Sequence, residues 1–269
     1  MYKKLHINYQ NRIHKARPPY LSEPIDGRGE VYQLTKKPID SNNPNYHQPW
    51  NGYVPDCTLS NKEDCDYFPA QTSNITVDEI YHKIKILGDK WMQMACEESL
   101  ESLKPKNKQG GEGGPFGAVI LQIDNDTNEI IRYWRNHNQV TLIDDPTAHA
   151  EVMTIRSACH SLGVFNLGNI NKKDSKLDQP GQLSHCIIYS SAEPCPMCFS
   201  AISWANIPNM FFAATRFDAA VQGVNFSDEE IYDELRKPYR ERKMHVYQMT
   251  TDNSLSAFNT WKRMKKVDY

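Results

Sequence analysis

The chain has 269 residues, 39% of them apolar and 24% charged, proportions ordinary for a soluble globular protein. A formal net charge of -2 leaves no basic excess for a nucleic-acid surface, and no apolar run approaches the roughly 20 residues of a membrane span. Seven cysteines, two of them in a CxxC, fit a reducing, cytoplasmic setting better than a disulfide framework, and Met1–Asn8 lacks the apolar stretch of a secretory signal.

Residues 1–75 form an extension of a different character from the rest. Eight of the sixteen prolines fall there (Pro18, Pro19, Pro24, Pro38, Pro44, Pro49, Pro55 and Pro69), with no sustained period of 2 or 3.6. Proline removes backbone donors and restricts the residue before it, so long regular elements are not expected. Cys57 and Cys65 have no CxxC spacing and no nearby His or Cys to complete a ligand set, so no second metal site is expected there.

The folded domain is expected to span residues 76–269. Thr76 and Glu79 have the spacing of a capping box, and Ile80, Ile84, Leu87, Trp91 and Met94 then share one helical face through about Leu103. The glycine-rich stretch Gly110–Gly117 lacks the Gly-Lys-Ser/Thr of a phosphate loop and leads into a strand. Close backbone approach to a small ligand is the better reading of its glycines. Phe116–Ile123 and Glu129–Arg135 read as a hairpin turned at Asp124–Asn128.

Asp145 and Pro146 read as the cap and first residue of a helix with an apolar stripe at Val152, Ile155, Cys159 and Leu162, ending near Gly163. Residues 166–184 read as a polar surface loop. A buried strand at Cys186–Ser190 feeds the CxxC, and Pro196 opens the next helix. Strands at Pro208–Ala214 and Met244–Thr250, a helical stretch near 227–236 and a terminal helix at 255–267 complete an alternation that implies an α/β layered sheet.

Two segments carry the chemistry. Thr147–Glu151 contains His149-x-Glu151, and Glu193–Cys198 contains Pro194-Cys195-x-x-Cys198. One imidazole and two thiolates supply three protein ligands to zinc and leave one open position for water. Each ligand set sits at the start of a predicted helix, where partial positive charge favours the thiolate. A CxxC alone would also serve a structural half-site or a redox pair, but a structural site calls for a fourth Cys or His at motif spacing, and none is present. Glu151 is then free to move protons. H-x-E followed by P-C-x-x-C is the recognised signature of zinc deaminases.

These segments, with Gly113–Ile120, resemble the cytidine deaminase superfamily, and within it the bacterial-type guanine deaminases. Phe217–Ala220, Lys237-Pro238, Glu241-Arg242 and the tail from Trp261 to Tyr269 carry the resemblance further. Residues 1–75 and 166–184 have no counterpart, and Ser191, Ala192 and Ser200 depart slightly from the commoner residues near the CxxC. The resemblance implies a three-layer fold, with a mostly five-stranded mixed sheet between helices on both faces. It implies a zinc cofactor, Glu151 as the catalytic acid and base, and a base-binding set of Phe116, Asn138, Ala150, Trp204, Asp218 and Tyr269. It also implies a homodimer whose C-terminal segments are exchanged, with Phe258, Trp261 and Tyr269 as anchors.

The activity so implied is hydrolysis of guanine to xanthine and ammonia, with no nucleic-acid or membrane partner. Guanosine deaminases carry nearly the same motifs. A tRNA adenosine deaminase would call for a basic face, and a catalytically idle zinc-fold module for the loss of Glu151.

Overall fold

The computed structural model describes residues 25–26, 80–81, 84–105 and 111–264. The Thr76–Glu79 box, Cys57, Cys65 and Tyr269 lie outside these. The strands are β1 (Ile25–Asp26), β2 (Gly117–Asp124), β3 (Ile130–His137), β4 (Ile170–Asn171), β5 (Leu183–Ala192) and β6 (Met210–Ala214). The helices are α1 (Lys90–Glu101), α2 (Val140–Ile143), α3 (Ala150–Leu162), α4 (Pro196–Trp204), α5 (Arg216–Ala220), α6 (Glu229–Arg236) and α7 (Ser256–Arg263).

The sheet runs β1-β3-β2-β5-β4, and β6 lies along the other half of the β5 edge that carries β4. β2 is antiparallel to both β3 and β5, whereas β5 and β6 are parallel and joined by α4, so the sheet is mixed. β1, from the proline-rich extension, pairs with β3 at Tyr133 and Arg132.

Alternation along the strands builds two cores. Val119, Leu121, Ile123, Ile187 and Tyr189 pack against Trp91 and Ala95 of α1. Ile120, Trp134 and Ile188 face the other way and pack with Ala158 and Leu162 of α3 and Ile202 of α4. Side chains of β2 alternate between two covered faces and every one is buried, so its polar residues need partners: Gln122 donates to Gln179 and Ser184, and Asp124 accepts from the Gly181 backbone. The three-layer, mixed-sheet architecture with helices on both faces is therefore present.

Four local expectations change. The helix expected over 76–103 breaks before Asp89, whose carboxylate accepts from Trp91 and Met92 and starts α1 afresh. Ile84 and Leu87, placed on its inner face by periodicity, are exposed. Asp145 does not cap α3; its Oδ1 accepts from the Thr147 backbone at 2.8 Å, an Asx turn, and the cap position passes to His149. Residues 166–184 are packed, with Leu167, Ile170 and Gln179 fully buried, because β4 pairs with β5 and Gln179 bonds Gln122 and Ser184. Residues 244–250 form no strand: they run along the surface without sheet partners among the described residues.

Candidate active site

Two helix starts meet at one point. His149 is the N-cap of α3 and Cys195 the N-cap of α4, with Cys198 three residues further on. The His149 Nδ1 lies 3.6 Å from Cys195 Sγ and 3.4 Å from Cys198 Sγ, and the three donor atoms all fall within 4.8 Å of one another. Tetrahedral zinc with ordinary Zn–N and Zn–S bonds needs an N···S edge of about 3.6 Å. The donor set therefore matches the ion in both chemistry and spacing.

The protons of the cluster point the same way. The Cys195 thiol is lowered to about 4, first by its hydrogen bond with Cys198, while Cys198 is raised by the same bond. Two thiols so close share one proton, and a cation between them would displace it. His149 is raised, chiefly by its contact with Cys195.

Glu151, in the first turn of α3, is buried beside this group and does not join it. Its Oε2 accepts from Cys198 Sγ at 3.3 Å and its Oε1 from the Ser190 hydroxyl at 3.2 Å. Burial raises its pKa above the ordinary carboxylate value, the direction that suits a carboxyl required both to take and to give a proton. Ala150, between His149 and Glu151, is fully buried.

Beneath the CxxC, Glu193 Oε2 accepts from the Tyr81 hydroxyl at 2.5 Å and from the Arg216 backbone at 3.0 Å. This ties the approach to α4, the start of α5 and the segment before α1 together. Neither Ser190 nor Tyr81 is singled out by the sequence reading. Ser190 does carry a signal: it is a hydroxyl two residues beyond Ile188 in a buried strand, hence on the α3 side. Tyr81 carries none.

Asn138 follows β3 and is buried; its Oδ1 accepts from the Val140 backbone at 3.1 Å, and its own N–H donates to the Phe116 carbonyl at 2.9 Å. Phe116 is set edge-on to Phe226, with centroids 5.1 Å apart. Asp218 is exposed, and its Oδ2 accepts from the backbone and hydroxyl of Thr215 in a capping box. Trp204 is not brought to the cluster within one chain. It ends α4, six residues and about 9 Å of helix beyond Cys198, and is 69% exposed.

The family described as cytidine and deoxycytidylate deaminase zinc-binding region matches residues 88–214. A guanine deaminase of Bacillus subtilis is 44% identical over 160 residues, 59% of this chain and 87% of that protein. A tRNA-specific adenosine deaminase of Aquifex aeolicus is 33% identical over 43% of this chain and 63% of its own length. The X-ray structure of guanine deaminase from Bacillus subtilis superposes with a TM-score of 0.54 at 37% identity, covering 68% of this chain and 99% of that one. Signature, sheet and relatives agree, and the chain belongs to the zinc-binding cytidine deaminase superfamily, in which it is guanine deaminase-like.

Proposed function

We propose that this protein hydrolyses guanine to xanthine and ammonia, as a zinc-dependent enzyme of purine metabolism. The observation that carries the reading is the buried Glu151 carboxyl standing against a His149–Cys195–Cys198 set of zinc-ligand spacing. Similarity to a guanine deaminase along 87% of that protein's length supports the choice of base.

His149, Cys195 and Cys198 would hold the zinc. When bound, zinc supplies Lewis acidity and makes a water available as a nucleophile near neutral pH. Glu151 takes one proton of the attacking water and hands it to the purine ring nitrogen. It then takes the remaining proton of the hydroxyl added at C2 and gives it to the amine, so that C2 becomes a carbonyl as its bond to nitrogen breaks and ammonia leaves. Ser190 holds one carboxylate oxygen and leaves the other turned to the cluster. Asn138, Phe116 and Ala150 form the wall facing the base, and Asp218 accepts from its ring N–H groups.

The active unit in this reading is a homodimer that exchanges its C-terminal segments, bringing Tyr269 to a neighbouring site, while Trp204 walls a pocket. None of the described residues from 221 to 264 is buried, and Tyr247 and Met249 are 80% and 90% exposed. An apolar face of that extent calls for a partner. The five described cysteines are free thiols, which suits a reducing cytoplasm, and no helix among the described residues is long and apolar enough to cross a membrane. Residues 1–75 stand as an extension to the deaminase domain.

The test is ammonia release with guanine, guanosine, adenine, cytosine and cytidine offered separately to zinc-replete protein. Guanine is expected to give the highest kcat/KM; a faster guanosine reaction would move the assignment to the nucleoside.

A further inference from the structure

His137 ends β3, one residue before Asn138, and each of its ring nitrogens meets a buried carboxylate. Nδ1 lies 3.1 Å from Glu98 Oε2 of α1, and Nε2 bonds Glu112 Oε2 of the glycine-rich loop. The side chains of His137, Glu98 and Glu112 are 13%, 9% and 6% exposed. Arg135 Nε stands 3.2 Å from the other oxygen of Glu98. A neutral imidazole has one N–H and one lone pair, and an ionised carboxylate only accepts. Two such bonds at once therefore require the doubly protonated ring. Partners on opposite nitrogens also distinguish this group from a metal site, which needs its ligand atoms converging on one point.

The bridge closes around Asn138. Glu112 N–H donates to Ser102 at the end of α1 at 2.7 Å, and the Glu112 carbonyl accepts from Thr141 and Leu142, both at 3.0 Å. Glu112 thus holds the residues just after Asn138, while His137 holds the strand just before it. The loop backbone lies so close to Asn138 that a Cβ on Gly113 would stand 2.0 Å from its Oδ1. Gly117 plays the matching part for α1. A Cβ there would stand 2.3 Å from the Ala95 carbonyl, so the bare backbone lets α1 bring Glu98 to His137.

We propose that His137, as an imidazolium bridging Glu98 and Glu112, is a positioning residue for the base-binding wall of Asn138 and Phe116, and that losing its proton loosens that wall. This rests on the reading above that Asn138 and Phe116 face the base. Burial alone disfavours the charged ring, but the hydrogen bonds and charges of Glu98 and Glu112 outweigh it, and the pKa stands above its ordinary value. The charged groups facing the ring are Glu98 from α1 and Glu112 from the loop, with Arg135 of the same strand behind Glu98. The bridge is closed below that raised pKa and opens as pH rises through it.

Kinetics with guanine from pH 6 to 9.5 test this in the wild type, Glu112→Gln and His137→Gln, with zinc content measured throughout. In Glu112→Gln the substituted amide could donate to a neutral Nε2 while Nδ1–H donates to Glu98, so there the bridge survives loss of the proton. Wild-type KM is expected to rise about tenfold across the His137 titration, with kcat and zinc nearly constant. The midpoint should coincide with the ring pKa read by NMR. Glu112→Gln should keep its KM low into the alkaline range, and His137→Gln should show a raised KM at every pH. Ionisation of guanine itself is common to all three proteins and cancels in the comparison. If His137→Gln does not fold, the wild type and Glu112→Gln still decide. A wild-type KM that stays flat through the midpoint, or a Glu112→Gln profile that rises like the wild type, overturns the proposal. Absence of guanine turnover at every pH sinks the functional reading together with this one, whereas turnover with a pH-flat KM sinks the bridge alone.

Discussion

The Ser190 hydroxyl on β5 donates to Glu151 Oε1 at 3.2 Å, so the sheet holds one oxygen of the carboxylate that α3 carries. Glu151→Gln preserves the shape and these contacts but has no proton to exchange. It is expected to keep its zinc and to lose about 10²- to 10⁴-fold in kcat. Ser190→Ala, which frees the carboxylate without neutralising it, should lose far less. Steady-state kinetics beside elemental analysis separate the two, and near-normal turnover in Glu151→Gln would remove it as the proton carrier.

The spacing of His149, Cys195 and Cys198 leads to a prediction about metal. Purified protein should contain about one zinc per chain, and a strong chelator should abolish turnover until zinc is returned. His149→Ala removes the only nitrogen of the set and should lower metal content sharply. Full zinc occupancy in that variant would show that the ion sits elsewhere.

Much of this is legible in the sequence, for physical reasons that differ by element. His149, Glu151, Cys195 and Cys198 lie within two short segments at helix starts, and the deaminase signature that links the two segments predicts their convergence. β2 and β5 are legible as apolar, β-prone runs because both are covered on both faces, and their burial is nearly continuous. Legibility fails where a partner is distant in the chain. Nothing in the sequence singles out Glu98, Glu112 or His137, and only the closeness of α1 to Gly117 brings them together. Trp204 and residues 244–250 mislead for a related reason: their apolar character signals burial, and a single chain does not supply it. Asp145 reads as a helix cap because its side chain does cap a turn, one step before the helix.

His137 also predicts how stability depends on pH. Its folded pKa is raised, so the stabilisation of the bridge is fully present below the ordinary imidazole value of about 6.5 and is lost as pH rises through the folded value. Urea unfolding of the zinc-loaded wild type should therefore weaken towards alkaline pH more than that of His137→Gln, and subtracting the two curves removes the other titrating groups. Parallel curves over that window would contradict a closed, charged bridge in the folded protein.

Tyr81 and Glu193 supply a prediction about the frame of the site. The Tyr81 hydroxyl is raised well above its ordinary pKa, first by burial and then by Glu193, so it remains a donor throughout the neutral range. Tyr81→Phe leaves Glu193 with the Arg216 backbone as its remaining described donor and should cost about 1–3 kcal/mol of stability. Zinc binding should persist. Urea midpoints would measure the loss, and an unchanged midpoint would mean that the contact contributes nothing net.

The C-terminal segment gives the last prediction. Phe258 and Trp261 of α7 are 66% and 41% exposed, and the whole run from 221 to 264 offers apolar side chains to solvent. An element with that surface has little reason to be ordered against its own chain, but it can be covered by a second copy at low cost, because exchanged termini reuse contacts each chain already encodes. Sedimentation should give a homodimer. Truncation after Ser256 removes nearly all of α7 and the residues beyond it while leaving His149, Glu151, Cys195 and Cys198 untouched. Zinc content should therefore hold, and kcat/KM should fall at least about a hundredfold, since an open site no longer orients the base or excludes water. Mixing the truncated chain with full-length Glu151→Gln should restore part of the activity, because each heterodimer then pairs one intact Glu151 with a tail supplied by the other chain. A monomer, or an active truncated protein, would show that the tail acts within its own chain or not at all.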